Sequence, residues 1–133
     1  MNKSINATFA FIKNSDGKIL LIRRAKEDDF PGRWELPGGS IDNGEDLKSA
    51  IEREVLEETG LTVKAVSPIS IIKHINPHGR EVVRITYECI LKSVPEINLS
   101  KDHDSYRWVE SADLKKADKN SPLYDAVNGM KKK

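Results

Sequence analysis

Short runs of apolar and β-branched residues, separated by turn sequences, occupy the beginning of the chain. The runs at 6–13 and 18–24 flank the sequence Asn-Ser-Asp-Gly, a turn in which glycine supplies a positive φ. This pattern predicts a β-hairpin. The second run contains four consecutive aliphatic residues, Ile19 to Ile22, so we expect its strand to be central in a sheet and covered on both faces.

Further β-prone segments follow later in the chain. The runs at 61–76 and 80–92 meet at the turn sequence Asn-Pro-His-Gly and predict a second hairpin. Residues 34–36 predict a short strand that leads into a tight bend at 37–39, where two glycines allow a close backbone approach. The segment 106–109 predicts a last strand, whose alternation gives it one apolar face with a substantially buried tryptophan.

A helix is predicted between the two hairpins. Glu45 and Asp46 suit its first turn, where the helix dipole favours negative charge, and Gly60 ends it. At about 100° per residue, the apolar side chains of this segment form one stripe. The stripe consists of Leu47, Ala50, Ile51 and Val55.

The order of these elements favours one fold class. Hairpins alternate with helices without a series of βαβ units, which argues against a doubly wound parallel sheet. Residues 111–117 and 121–130 predict two closing helices with serine N-caps. We therefore predict an α/β/α sandwich, in which a central mixed sheet is covered by helices on both sides. With 133 residues, the chain 1–133 is long enough for one domain with one core.

Composition excludes several classes of partner. The chain has 22 basic and 21 acidic residues and a net charge of +1, so no global field attracts nucleic acid or a membrane surface. No apolar stretch has the length of a membrane span, and the first residues lack the pattern of a signal peptide. The single cysteine, Cys89, suits a reducing compartment and a buried structural thiol. We expect a cytoplasmic protein.

Three glutamates on the predicted helix indicate chemistry. By helical periodicity, Glu54 and Glu58 fall inside the apolar stripe and Glu57 falls at its edge. Burying unpaired carboxylates is costly, and the C-terminal half of a helix disfavours anions. A divalent metal with oxygen ligands would compensate their charge. The alternative is an acidic patch on a solvated helix face, and the spacing alone leaves it open.

The same stretch resembles the box of the Nudix hydrolases, of the MutT-like type. Gly39, Glu45 and the run from Arg53 to Leu61 match the pattern G-x5-E-x7-R-E-U-x-E-E-x-G-U at every specified position, where U is a bulky aliphatic residue. The preceding sequence Trp-Glu-Leu-Pro-Gly-Gly is similar to the usual start of that box. The resemblance implies metal-dependent hydrolysis of a nucleoside diphosphate linked to a group X.

The resemblance also implies roles for individual residues. It implies that Mg²⁺ or Mn²⁺ is bound by Glu54, Glu57 and Glu58, with the carbonyl of Gly38 as a further ligand. Glu54 is at the position that often serves as base or metal ligand in relatives, and some relatives take the base from a loop outside the box, so the sequence does not assign one base. Arg53 is implied to tie the helix to the preceding loop and to the box glutamates, so we count Arg53, Glu54 and Glu57 as catalytic residues.

Outside the box, four residues are candidates for the site. Arg23 and Arg24 end a strand and could contact phosphate, or they could simply be solvated. Trp34 could stack on a nucleobase or anchor a loop. Relatives often have a glutamate followed by a histidine before an Arg-Trp-Val-like strand, and this chain has Asp102 followed by His103 there. The shorter acid leaves open whether it would reach a metal directly or through water.

The group X is less well defined than the reaction. Small chains of this kind resemble the members that hydrolyse nucleoside triphosphates, including oxidised ones, to a monophosphate and pyrophosphate. ADP-ribose is the second candidate, because some ADP-ribose hydrolases have a proline about as far beyond the box as Pro77. A catalytically silent nucleotide-binding module is the alternative from another class. The expected partner is a small-molecule nucleotide. The sequence is compatible with either a monomer or a homodimer.

Overall fold

The computed structural model describes residues 5–26, 31–41, 44–92 and 96–110. Within these ranges the chain forms one seven-stranded sheet and one helix. The elements in chain order are β1 (Ile5–Lys13), β2 (Ile19–Arg24), β3 (Trp34–Glu35), β4 (Gly38–Ser40), α1 (Leu47–Thr59), β5 (Val63–Ile75), β6 (Glu81–Leu91) and β7 (His103–Val109).

The sheet is mixed and is built around β1. One edge of β1 pairs in parallel with β6 along its whole length, and the other edge is shared by β4 and the start of β2 in antiparallel pairing. β5 extends the sheet beyond β6, and both β3 and β7 pair with β2. This arrangement confirms the predicted fold class. The predicted closing helices at 111–117 and 121–130 lie outside the described residues.

Both predicted hairpins are present, and the same type of side chain supports each turn. The Asn14 carboxamide oxygen accepts hydrogen bonds from the amides of Asp16 and Lys18, each at 2.9 Å. Asn76 does the same for His78 and Arg80, at 2.9 and 3.0 Å. Asparagine is favoured at turns because its side chain can satisfy backbone amides that the turn leaves unpaired.

The run Ile19 to Ile22 is buried on both faces of the sheet, as its continuous apolar character predicted. Leu20 and Ile22 face α1, where they join the cluster that includes Ile51 and Val55. Ile19 and Leu21 join a second cluster on the opposite face. Residues that alternate along a strand face opposite sides, so one strand contributes to both cores. Cys89 is buried beneath α1, where burial raises the pKa of its thiol to about 12, and it is an unreactive core residue.

The helix starts later than the sequence predicted. Glu45 and Asp46 precede α1, which begins at Leu47, and Asp46 is the N-cap. Its carboxylate accepts hydrogen bonds from the amide and the hydroxyl of Ser49, at 3.0 and 2.7 Å, and these bonds lower the pKa of Asp46. An aspartate that caps a helix occupies the position just before the first helical residue. Asp46 therefore precedes the first turn of α1. At the other end, Gly60 adopts the left-handed φ of 77° that the sequence predicted for a terminating glycine.

The predicted bend at 37–39 is confined to residue 37, because a strand begins at Gly38. Residues 38–40 form β4, in which Gly38 pairs with Phe9 and Ser40 pairs with Ala7. The sequence could not indicate this strand because its pairing depends on β1, far away in the chain. Within the described ranges, no helix has the length and apolar character needed to cross a bilayer.

Trp108 is buried less than its alternation predicted. It pairs with Leu20 and packs against the core beneath α1, but it stays partly exposed. We expect Trp108→Ala to lower the free energy of unfolding by about 2 kcal/mol, less than the roughly 3–5 kcal/mol that removal of a fully buried aromatic costs. Urea denaturation would measure the change, with Tyr106→Ala, an exposed residue on the same strand, as control. An unchanged midpoint for Trp108→Ala would contradict this packing.

Candidate active site

The three box glutamates differ in exposure. The side chains of Glu54 and Glu58 are each 15% exposed, whereas that of Glu57 is 57% exposed. Helical periodicity predicted that Glu57 would be more exposed than the other two, because it placed Glu54 and Glu58 within the apolar stripe and Glu57 at its edge. A bound ligand could therefore reach Glu57 from solvent. The carboxylates of Glu54 and Glu58 lie between α1 and the sheet, against Gly39 and Gly38 of β4.

Arg53 connects these carboxylates to the loop before α1. Its guanidinium makes a two-point contact with Glu45, at 2.7 and 2.9 Å. The Nη1 atom also donates to Glu54 at 3.1 Å and to Glu57 at 3.1 and 3.2 Å. A planar guanidinium has several donors in fixed directions, so it can orient several carboxylates at once. These are the contacts that the family resemblance implied for Arg53.

Gly39 lies directly against the Glu54 carboxylate. A Cβ atom at this position would lie 2.7 Å from both Cδ and Oε2 of Glu54, closer than a real Cβ contact allows. Glycine leaves free the space that the Glu54 carboxylate occupies, and any side chain here would push that carboxylate away. The box glycine thus belongs to the site through this contact.

We expect Gly39→Ala to displace the Glu54 carboxylate and to lower kcat/KM by about 100-fold, since misplacing a functional group by about 1 Å can have an effect of that size. Initial-rate measurements would test this, with Ser40→Ala as the matched control on the exposed next residue of β4. An alanine variant with the parent kcat/KM would show that the position of Glu54 is not critical.

Glu58 is held by the backbone of β4. Its Oε1 accepts a hydrogen bond from the Gly38 amide at 2.7 Å, and its Oε2 lies 3.9 Å from Nδ1 of His103. Burial raises the pKa of Glu58 from its usual 4.5 to about 7, and the charges of Glu54 and Glu35 add to this, although the Gly38 amide and His103 act in the opposite direction. The negative charge of Glu58 is thus only partly compensated by its neighbours.

The loop before β7 brings His103 to this site. Its Nε2 lies 3.0 Å from Glu35 Oε2, and the second oxygen of Glu35 accepts from Nε of Arg24 at 2.9 Å. Burial alone lowers the pKa of His103, but the hydrogen bond to Glu35 and the charges of Glu58 and Glu35 outweigh it, so the pKa is raised. The sequence analysis gave neither Glu35 nor His103 a role in the site, although His103 was matched to the histidine of relatives. An acid between the apolar residues Trp34 and Leu36 was the signal that could have indicated a buried charge.

Asp102, the candidate acid of that loop, has an exposed side chain. Its carbonyl accepts a hydrogen bond from the Ala25 amide at 2.9 Å, which fixes the loop to the end of β2. The adjacent residue, His103, is the one whose side chain approaches Glu58. Whether the Asp102 carboxylate contributes to the site stays a prediction.

Arg23, Arg24 and Trp34 do not form one group. Arg24 contacts Glu35 on the side of the sheet that α1 covers. Arg23 forms an ion pair with Asp104 at 2.8 Å, and its guanidinium carbon lies 5.7 Å from the centre of the Trp34 ring. Trp34 packs against the cluster on the opposite face of the sheet. The structure therefore brings only Arg24 toward the box glutamates.

A second arginine, Arg107, also contacts Trp34. Its guanidinium carbon lies 4.8 Å from the ring centre, within the range of a cation–π interaction. This contact arises because β3 and β7 both pair with β2, where Trp34 faces Arg23 and Arg107 faces Leu21. The sequence analysis missed Arg107, since only the strand order brings it to the tryptophan.

The donor chemistry of the site suits a hard divalent cation. Glu54, Glu57 and Glu58 offer carboxylate oxygens, which Mg²⁺ and Mn²⁺ prefer. In the part of the chain that the structure describes, no three His, Cys, Asp or Glu side chains are already arranged around one metal position. Arg53 instead holds two of the carboxylates, and the third keeps a partly compensated charge. The residues present thus fit a metal in donor type and charge.

Comparisons with known proteins find similar sequences along most of the chain. The sequence profile of the NUDIX domain matches residues 3–127. The nucleoside triphosphatase NudI of Escherichia coli O17:K52:H18 is 30% identical over 117 residues, covering 80% of this chain and 82% of its own length. NudI of Klebsiella pneumoniae (strain 342) is 29% identical over 118 residues, with coverages of 80% and 83%.

Solved structures give the same picture. The MutT protein from Methanosarcina mazei Go1 superposes with a TM-score of 0.79 at 26% identity, covering 98% of this chain and 93% of its own. An ADP-ribose pyrophosphatase from Streptococcus suis 89-1591 superposes with a TM-score of 0.73 at 25% identity, with coverages of 98% and 92%.

Proposed function

The chain belongs to the Nudix domain family and is a hydrolase of pyrophosphate bonds, and from this premise we propose that it hydrolyses nucleoside triphosphates to a monophosphate and pyrophosphate. The observation that carries this substrate class is the likeness to the NudI nucleoside triphosphatases over 80% of the chain. Oxidised nucleotides are included among the proposed substrates. The chain 1–133 is proposed to act as one cytoplasmic domain, and a homodimer is compatible with this function.

Nudix hydrolases generally use divalent metal ions, and the proposed cofactor is Mg²⁺ or Mn²⁺. Its proposed ligands are Glu54, Glu57, Glu58 and the Gly38 carbonyl, with Asp102 in contact directly or through water. When bound, the cation would screen the phosphate charges, polarise the P–O bond and lower the pKa of a water.

The side chains of the site have separate proposed roles. Arg53 orients Glu54 and Glu57 through its contacts with both carboxylates. Glu54, which is largely buried and fixed between Arg53 and Gly39, is the proposed base or metal ligand. The exposed Glu57 is the carboxylate that an incoming phosphate and its cation would meet first.

Substrate contacts are proposed for Arg24, Arg23 and Trp34. Arg24 lies on the face that carries the box glutamates, so it is the proposed phosphate contact. Arg23 and Trp34 lie at the β2–β3 edge on the other face, where the aromatic ring is only partly covered. They are proposed to contact the nucleoside end of the substrate around that edge.

ADP-ribose is the second candidate substrate. The likeness to the Streptococcus suis ADP-ribose pyrophosphatase at 25% identity favours it. Pro77 adds little support, because it follows Asn76 in the turn between β5 and β6, where a proline suits the turn itself.

A panel of nucleotides incubated with the purified protein tests the proposal. Nucleoside triphosphates, their oxidised forms and ADP-ribose would be compared with Mg²⁺, with Mn²⁺ and with chelator, scoring released pyrophosphate or phosphate. Fastest turnover of a triphosphate with release of pyrophosphate is expected. Preference for ADP-ribose would favour the second candidate, and tight binding without turnover of any compound would indicate a catalytically silent module.

A further inference from the structure

Two buried ionisable side chains, Glu35 and His103, lie against the box helix and have no role in the function proposed so far. Their contact joins Oε2 of Glu35 to Nε2 of His103 at 3.0 Å. Burying such groups costs free energy, and even a well-paired buried arrangement is often no more stable than apolar packing of the same volume. Stability alone therefore gives no reason for placing them here.

The backbone around His103 is fixed relative to Glu58. The Ser100 amide donates to the Glu58 carbonyl at 3.0 Å, and the His103 amide donates to the Ser100 carbonyl at 3.2 Å. On the other side, the Asp102 carbonyl accepts from the Ala25 amide at 2.9 Å. The segment before β7 is thus attached both to the last turn of α1 and to the end of β2, which leaves the imidazole little freedom.

An irregularity in the sheet directs this histidine toward α1. The register between β2 and β7 shifts between Arg23 and Arg24, so that Arg24 pairs with His103. A β-bulge re-aims the side chains next to it. As a result, Arg24 and His103 approach the two oxygens of Glu35 separately, at 2.9 and 3.0 Å.

The second imidazole nitrogen faces Glu58. Nδ1 of His103 is buried, has no hydrogen-bond partner among the described residues, and lies 3.9 Å from Glu58 Oε2. The other oxygen of Glu58 accepts from the Gly38 amide at 2.7 Å. The carboxylate is therefore enclosed between a backbone amide and an imidazole whose direction Glu35 sets.

We propose that Glu35 and His103 are positioning residues that act through Glu58, an inference that rests on the proposed function. Glu35 fixes the imidazole by its contact at Nε2, and the imidazole keeps the Glu58 carboxylate in its orientation beside Gly38. Arg53 gives the same support to Glu54 and Glu57, so the site has two separate orienting devices.

Direct binding of Mn²⁺ to the full chain, followed by the electron paramagnetic resonance signal of the free ion, tests this role. His103→Gln keeps a donor that can reach Glu35 but has no group at the Nδ1 position. Glu35→Leu removes the acceptor that orients the imidazole. Each is expected to weaken Mn²⁺ binding about 10–100-fold, as loss of an outer partner of a metal ligand typically does. The KM for the nucleotide is expected to change little.

Two further variants separate positioning from structure. Glu35→Gln keeps one acceptor oxygen for the two donors, Arg24 and His103, and is expected to retain more of the Mn²⁺ affinity than Glu35→Leu. Glu52→Gln is the matched control, because Glu52 is a half-buried carboxylate of α1 that accepts from the Ala65 amide at 2.9 Å. It is expected to bind Mn²⁺ like the parent protein.

The outcomes are distinguishable. Unfolding in urea, measured for each variant, reports stability separately from metal binding. Parent-like Mn²⁺ affinity in both His103→Gln and Glu35→Leu, whatever their stability, would overturn the positioning role alone. Absence of Mn²⁺ binding and of nucleotide hydrolysis by the parent protein would instead overturn the proposed function, and this inference with it.

Discussion

Replacing Glu57 or Glu58 by glutamine is expected to remove nearly all hydrolytic activity while the protein stays folded. Glutamine keeps the shape of each side chain but lacks the charge that a cation requires. A bound cation contributes several kcal/mol to stabilising the transition state, and about 1.36 kcal/mol is tenfold in rate, so we expect kcat/KM to fall about 10³-fold. Initial rates over a Mg²⁺ titration, with the best substrate of the parent protein, would measure the loss.

Two other variants calibrate this result. Glu52→Gln removes a carboxylate from the same helix at a position that the box pattern leaves unspecified, and its rate is expected to match that of the parent. Asp102→Asn removes an exposed carboxylate of the loop before β7. It is expected to shift the Mg²⁺ concentration for half-maximal rate with a smaller loss at saturation, as an outer contact does. Near-normal turnover of Glu57→Gln or Glu58→Gln at limiting Mg²⁺ would contradict the ligand assignment.

The box helix shows how far local sequence determines a site. Its periodicity placed Glu54 and Glu58 within the apolar stripe and Glu57 at its edge, and the structure shows the first two largely buried and the third exposed, because those positions follow from the geometry of one helix. The resemblance to the Nudix box likewise implied the contacts of Arg53 with Glu54 and Glu57. The contact with Glu57 joins residues four positions apart, a spacing at which helical side chains meet, whereas the contact with the adjacent Glu54 was implied by the resemblance alone.

The Glu35–His103 pair shows where such reasoning ends. Its members stand 68 positions apart, and they meet only because β3 and β7 pair with opposite edges of β2. The register shift between Arg23 and Arg24 determines which side chain near the start of β7 points toward α1. Nothing in the local sequence indicates that shift. Sequence reasoning selected Asp102 for this place, whereas the neighbouring histidine is the residue that approaches Glu58.

The two strand-end arginines lie on opposite faces of the sheet because of local strand geometry, which the sequence analysis did not apply to them. The sequence places Arg23 and Arg24 together, but adjacent residues of a strand face opposite sides of the sheet. Their partners confirm the separation, since Arg24 contacts Glu35 and Arg23 contacts Asp104. The strand β4 was missed for a different reason, because a three-residue strand with two glycines forms only through its pairing with β1.

The metal-free protein is expected to lose stability as the pH rises from about 4.5 to about 7. The folded state raises the pKa of Glu58 from 4.5 to about 7, so the unfolded state releases its proton first as pH increases. The free energy of unfolding therefore falls by up to about 3 kcal/mol across this pH interval. Above it, ionisation of Glu58 causes no further loss. The raised pKa of His103 acts in the same direction, because its stabilising protonated form is lost as the pH rises above 6.5.

Chelator-treated protein unfolded in urea at about pH 5 and about pH 8 would measure this effect, which follows from linkage between protonation and folding. The lowered pKa of Asp46 does not interfere, because its stabilisation is lost only as the pH falls below its usual 3.8. Glu58→Gln has no ionisable group at that position, so we expect it to show a smaller difference between the two pH values and greater stability than the parent at the higher one.

Mg²⁺ is expected to restore the stability that ionisation of Glu58 removes. A cation that binds only the folded state stabilises it by mass action, and it binds an ionised carboxylate in preference to a protonated one. The Mg²⁺-dependent gain in unfolding free energy should therefore be larger at about pH 8 than at about pH 5 in the parent, and small at both in Glu58→Gln. Equal gains for the two proteins at the higher pH would show that Glu58 and the metal are not coupled.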